Sequence, residues 1–113
     1  MLAHPEYKWE SLLEAYQLRC VAYMNTKKFD KAADDAARLN EMKPDDAWAW
    51  GVRGEAVASQ TDGCRASLPF LTKSIELKVD ALRLTQRAHC LQGIGDTEGA
   101  ARDRAAAAKL TGK

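Results

Sequence analysis

The sequence predicts an all-α protein: three helix–turn–helix units in tandem, about six helices, forming one domain over residues 1–113. Three observations carry that expectation. The segments "YQLRCVAY" (16–23), "WGVRGEAV" (50–57) and "LTQRAHCL" (84–91) fall into register at a spacing of 34 residues. Within each unit, apolar and small residues advance by threes and fours, the period of a helix. Between these runs lie "NTKK", "QTDG" and "GIGD", which are polar or glycine-rich and carry turn chemistry.

The register is visible in four columns. Tyr16, Trp50 and Leu84 share one, and Arg19, Arg53 and Arg87 another. Cys20, Gly54 and Ala88 form a small-residue column, and Tyr23, Val57 and Leu91 a fourth. The second half of each unit repeats more loosely: Ala32, Ala66 and Ala100 are in phase without any insertion, beside Ala33, Ser67 and Ala101. Later positions drift, so that Ala36, Phe70 and Arg104 share a slot, as do Leu39, Lys73 and Ala107.

The elements follow in order. Helices are expected at about 5–25, 29–42, 46–59, 65–78, 81–92 and 97–110, with boundaries good to ~2–4 residues. The units run approximately 13–46, 47–80 and 81–113, and residues 1–12 extend the first helix. Pro44 closes the first unit because proline cannot continue the helical ladder, and Asp45 and Asp46 suit the next helix's N-terminus. Pro69 falls inside the fourth helix, which points to a late start there, with Ser67 as N-cap and Pro69 in the first turn. Helices joined by so short a turn pack antiparallel with axes ~8–10 Å apart, and small residues in the Cys20 and Ala32 columns permit that approach. A single pair leaves an apolar face open, so the units must stack.

Composition narrows the function classes. Formal net charge is +1, with Lys and Arg interspersed among Asp and Glu, so neither a basic stripe for nucleic acid nor a cluster for anionic membranes is present. The longest apolar runs fall far short of the ~20 residues a bilayer span needs. "MLAHPEYKWE" lacks the apolar core of a secretory signal. Three widely separated cysteines, Cys20, Cys64 and Cys90, read as reduced, half-buried thiols of a cytoplasmic protein, neither a disulfide framework nor a metal site. No cofactor is called for. His89 sits beside Cys90, but adjacent helical residues point apart, so they form no nucleophile–base pair, and no phosphate loop, HExxH or CxxC occurs. An enzyme is not expected.

At this point the chain resembles the tetratricopeptide repeat family, whose 34-residue unit follows W-x2-L-G-x2-Y…A-x3-F…P. The resemblance rests on Tyr16, Cys20, Tyr23, Ala32 and Pro44, on Trp50, Gly54, Val57, Ala66 and Phe70, and on Leu84, Ala88, Leu91 and Ala100. It departs from the pattern where arginine fills the leucine slot at 19, 53 and 87. That column is expected to pair with acidic neighbours or carbonyls between helices; a basic ladder for acidic peptides is the alternative. The resemblance implies a right-handed superhelix whose concave groove, lined by each unit's first helix, binds a partner peptide or helix.

Transferred residue by residue, the implied groove takes Glu14, Gln17, Val21, Met24 and Asn25 from the first unit. Trp48, Gly51, Glu55, Ala58 and Ser59 come from the second, and Leu82, Thr85, His89 and Gln92 from the third. One subclass of the family clamps a chaperone's acidic C-terminus with Lys and Asn side chains, but the relevant slots hold Gln17, Leu18, Val21, Val52, Leu82 and Gln86. An apolar or amphipathic protein segment is therefore the expected ligand, with Trp48 its anchor. The alternative is self-assembly into a homodimer through the terminal helices, using Tyr7 and Trp9 at one end and Ala101, Ala105 and Ala108 at the other.

Overall fold

The computed structural model describes the backbone of residues 5–112 and the side chains of residues 10–112. It consists of six helices: α1 (Pro5–Asn25), α2 (Phe29–Met42), α3 (Ala47–Ala58), α4 (Cys64–Leu77), α5 (Ala81–Gly93) and α6 (Thr97–Thr111). Each helix packs on the next in sequence, and contact beyond these neighbours, as between α3 and α5, is slight among the described residues. The extents are 55 × 30 × 20 Å and the radius of gyration 15.4 Å. A compact domain of this length would have about 13 Å. The molecule is thus a helical repeat array whose stability accumulates between neighbours.

Aspartates start three of the helices. Asp46, Asp80 and Asp96 accept from the backbone N–H of Trp48 (3.1 Å), Leu82 (2.8 Å) and Gly99 (2.9 Å), satisfying donors the helix itself leaves free. The turns inside the units each contain a left-handed residue two places before the next helix: Lys27 (φ 63°), Asp62 (φ 55°) and Gly95 (φ 95°). Gly112 (φ 77°) closes α6 in the same conformation.

These turns reveal a phase slip that the sequence columns conceal. From Phe29 to Cys64, the starts of α2 and α4, is 35 residues; from Cys64 to Thr97, the start of α6, is 33. The left-handed residues 27, 62 and 95 show the same intervals. One extra residue lies in the α3–α4 turn before Asp62, and one fewer in the α4–α5 connection (78–80) than in the α2–α3 connection (43–46). The first helices, α3 and α5, keep the spacing of 34.

A one-residue slip turns every α4 side chain by ~100°. Ala66, expected to be buried with Ala32 and Ala100, is exposed, and Ser67 takes its place in the core. Leu71 stands where Ala36 stands in α2, and Phe70 where Asp35 does. The late start expected for α4 does not occur either: the helix begins at Cys64 with Gly63 as N-cap, and Pro69 lies within it. Pro69 is exposed, as is Arg65, whose carbonyl loses its ladder donor on this outer side of α4.

The core is built of small residues with few large ones between them. Cys20, Ala32, Ala36, Val52 and Ala56 form one cluster across α1, α2 and α3, flanked by Tyr23, Met24 and Ala33. Ile75, Leu84 and Ala107 form another across α4, α5 and α6. Leu39 and Leu71 are the largest fully buried side chains, each contributing about 2 kcal/mol by burial. Gly54 is what allows α3 to meet α4 here: a Cβ at that position would lie 2.7 Å from the Leu71 side chain. Burial pushes the Cys20 thiol up to about 11.

The cysteines require a correction. Cys64 and Cys90 are joined by a disulfide that ties the start of α4 to α5, their Cα atoms 4.8 Å apart; only Cys20 is free. A separation of 26 residues gave no hint of this, because the two meet only when α5 packs back on α4.

Candidate partner-binding cleft

A cleft of about 540 Å³ opens between α3 and α5. It is lined by Glu55, Ala58 and Ser59 from α3 and by Thr85, Gln86, His89 and Cys90 from α5. The stacking of the two first helices positions these side chains, since residues spaced by three, four and seven lie along one helical face. Glu55, Ala58, Ser59, Thr85 and His89, five of the groove residues implied by the resemblance, are thus brought together.

Two of the lining side chains, Glu55 and Gln86, are held in place from behind. Arg83, buried between the helices, donates from Nη1 to Glu55 Oε1 and to Gln86 Oε1, both at 2.8 Å. Gly51 makes room for it, because a Cβ there would collide with the guanidinium. The hydroxyls are occupied by their own helices: Ser59 Oγ donates to Glu55 O at 2.8 Å and Thr85 Oγ1 to Ala81 O at 2.9 Å. Cys90 is spent in the disulfide and offers no thiolate. The cleft can therefore accept hydrogen bonds at Glu55 and His89 and make apolar contact, but it holds no activated nucleophile.

Trp48 and Leu82 stand above the cleft. Each occupies the second position of its helix, and each lies seven residues before a cleft residue, Glu55 and His89 respectively. Seven residues are about two turns, ~10 Å along the same face. Trp48 is 37% exposed and Leu82 54%. Trp50, two residues on, is fully employed instead: its Nε1 donates to Pro44 O at 2.7 Å and its ring stacks on Phe70 at 6.3 Å.

The other implied residues are placed less uniformly. Gln17 is half-buried, Val21 and Asn25 are exposed on α1, and Met24 packs against the first core cluster. Gln92 accepts from Arg104 Nη1 at 3.1 Å, which turns it toward α6. Ala101 and Ala105 are exposed and Ala108 half-buried on α6. The side chains of Tyr7 and Trp9 lie outside the described residues. Arg83 was not singled out from sequence, because the space it fills at Gly51 exists only once α3 and α5 are packed.

The arginine column is structural in all three units. Arg19 grips Asp35 with two bonds (2.9 and 2.7 Å), and Arg87 grips Asp103 likewise (2.7 and 2.8 Å). These carboxylates raise both arginines above their ordinary range. Arg53 has no carboxylate: it lies 4.1 Å over the Phe70 ring and donates to Asn40 Oδ1 at 3.1 Å. Burial shifts it downward instead.

Among the described residues no three His, Cys, Asp or Glu side chains converge as a metal site, and no helix is long and apolar enough to cross a membrane. No protein-family model matches the sequence, and no curated protein does.

Proposed function

We propose that the protein is an interaction adaptor of the tetratricopeptide repeat type, holding an apolar or amphipathic segment of a partner protein along the α3–α5 cleft without chemistry of its own. The carrying observation is the pairing of a cleft whose lining is mainly apolar with two exposed apolar residues, Trp48 and Leu82, above it on the same helix faces. Exposed tryptophan beside a concave site is the residue type that most often anchors such contacts. The 34-residue register of the first helices supports the family reading. A protein ligand suits the near-neutral charge better than nucleic acid does. The cytoplasmic location expected from unpaired thiols loses that support, because a disulfide favours an oxidising compartment.

Panning a displayed peptide library against the full chain tests this reading. Selected peptides should shift amide resonances of Thr85, Gln86 and His89, and Trp48→Ala should weaken them by about 2 kcal/mol or more. Peptides that bind equally to the variant, or whose shifts lie elsewhere, would remove the site from this cleft.

A further inference from the structure

The repeat register exposes a second surface, distinct from the cleft. In α3, Ala49, Val52 and Ala56 are buried, and Val52 and Ala56 pack with Ala32 and Ala36 of α2. The residues 34 places earlier on α1 are Ala15, Leu18 and Ala22, equally apolar, and all three are exposed. Val52 is 6% accessible and Leu18 is 66%. Beside Leu18 is a depression of about 180 Å³ formed by Leu12, Ala15, Tyr16 and Arg19, with Leu12 itself exposed. The α1 face thus has the composition of an internal stacking face but nothing among the described residues covers it.

The internal interfaces specify what would cover it. Arg53 reaches back to a neutral oxygen on the helix that covers α3, Asn40 Oδ1 at 3.1 Å. Arg87 does the same to α4, with Nη1 3.2 Å from Thr72 Oγ1. Arg19 uses Nε and Nη2 on Asp35, while its Nη1 has no protein acceptor among the described residues and its side chain is 56% exposed. On α2 the covering stripe is Ala32, Ala36 and Asn40, each four residues apart. The corresponding stripe on α6 is Ala100, Arg104 and Ala108. That stripe would set a cation against Arg19 and offer it no oxygen, so the α6 face of a second copy does not fit.

We propose that the outer face of α1 docks an amphipathic helix of a partner protein with a small-x3-small-x3-(Asn/Gln/Thr) stripe. The small residues seat against Ala15, Leu18 and Ala22, and the polar oxygen accepts from Arg19 Nη1. The docking continues the geometry by which α2 covers α3 and leaves the cleft free.

The test uses a peptide of residues 28–44, held helical by a staple joining positions 34 and 38 on its exposed side, added to the isotope-labelled full chain. Saturable shifts should centre on Ala15, Leu18, Arg19 and Ala22. Leu18→Glu, at a site too exposed to affect folding, should weaken binding at least about tenfold with the melting temperature unchanged. Peptide substitutions Ala36→Arg and Asn40→Ala, which convert the stripe to that of α6, should each weaken it and together abolish it. Four results would overturn the proposal: no shifts at about 1 mM peptide, shifts centred on the cleft, shifts spread through α2 and α3 as the peptide exchanges into the fold, or equal binding by the doubly substituted peptide. A wild-type dimer that Leu18→Glu renders monomeric would assign the face to a second copy and overturn it as well.

Discussion

The outer units and the middle unit solve the same problem differently. In the first and third, an arginine on the first helix grips a buried aspartate on the second, Arg19 with Asp35 and Arg87 with Asp103. In the middle unit, the slip of α4 puts Phe70 at the aspartate's place, and Arg53 lies over its ring while donating to Asn40 Oδ1. The Asn40 amide nitrogen is then buried with no partner among the described residues. The shifted helix is also tied at its first residue, by the Cys64–Cys90 disulfide, to α5 of the third unit. Equivalence between repeats is therefore a property of position in space, and one residue in a turn can redefine it without changing the overall period.

The sharpest way to break the comparison is to undo the slip. Inserting one alanine after Arg65, with the turn left as it is, should rotate the rest of α4 by ~100°, moving Leu71 and Ile75 out of the core and Ala66 in; we expect a loss of about 4 kcal/mol or more in denaturant unfolding. Replacing Cys64 and Cys90 by serine removes the covalent tie and should cost about 3 kcal/mol for a loop of this length, read from the shift in melting temperature. Arg87→Met should cost about 3 kcal/mol, because Asp103 is left buried and unpaired. Arg53→Met should cost less, about 2 kcal/mol, since a ring contact and one hydrogen bond to a neutral acceptor are lost. Equal losses for the two arginines would show the units to be alike energetically despite their geometry. The smallest effect runs the other way: Asn40→Asp removes the unpartnered amide and offers Arg53 a carboxylate, and should stabilise by about 1 kcal/mol.

The six helices were legible because their period is strong and their turns carry distinct chemistry; expected and observed spans differ by at most one residue at each end, apart from the late start expected for α4. The phase of α4 was not legible. Ala66 falls at the expected interval from Ala32 and Ala100, and an alanine is equally at home on an exposed helix face. The disulfide was hidden because spacing says nothing of which helix ends meet. In the cleft, Glu55, Thr85 and His89 were among the groove positions implied by the family resemblance, but the Arg83 bridge depends on a gap at Gly51 that only packing shows. The outer face of α1 could have been read by subtracting 34 from Ala49, Val52 and Ala56, since the columns needed were already in register.

The disulfide also has a mechanical consequence. Pulled from its two ends, an array with nearest-neighbour packing unravels helix by helix, but the chain between Cys64 and Cys90 cannot extend while the bond is intact. Those 26 steps of backbone are withheld, which at ~3.4 Å each hides about 90 Å of contour length. Under tension α1 and α2 would pay out completely, whereas the region from α4 to α5 would respond as a closed loop. A force–extension trace should lengthen by that amount once a reductant is added, making the tie between the second and third units directly visible as distance.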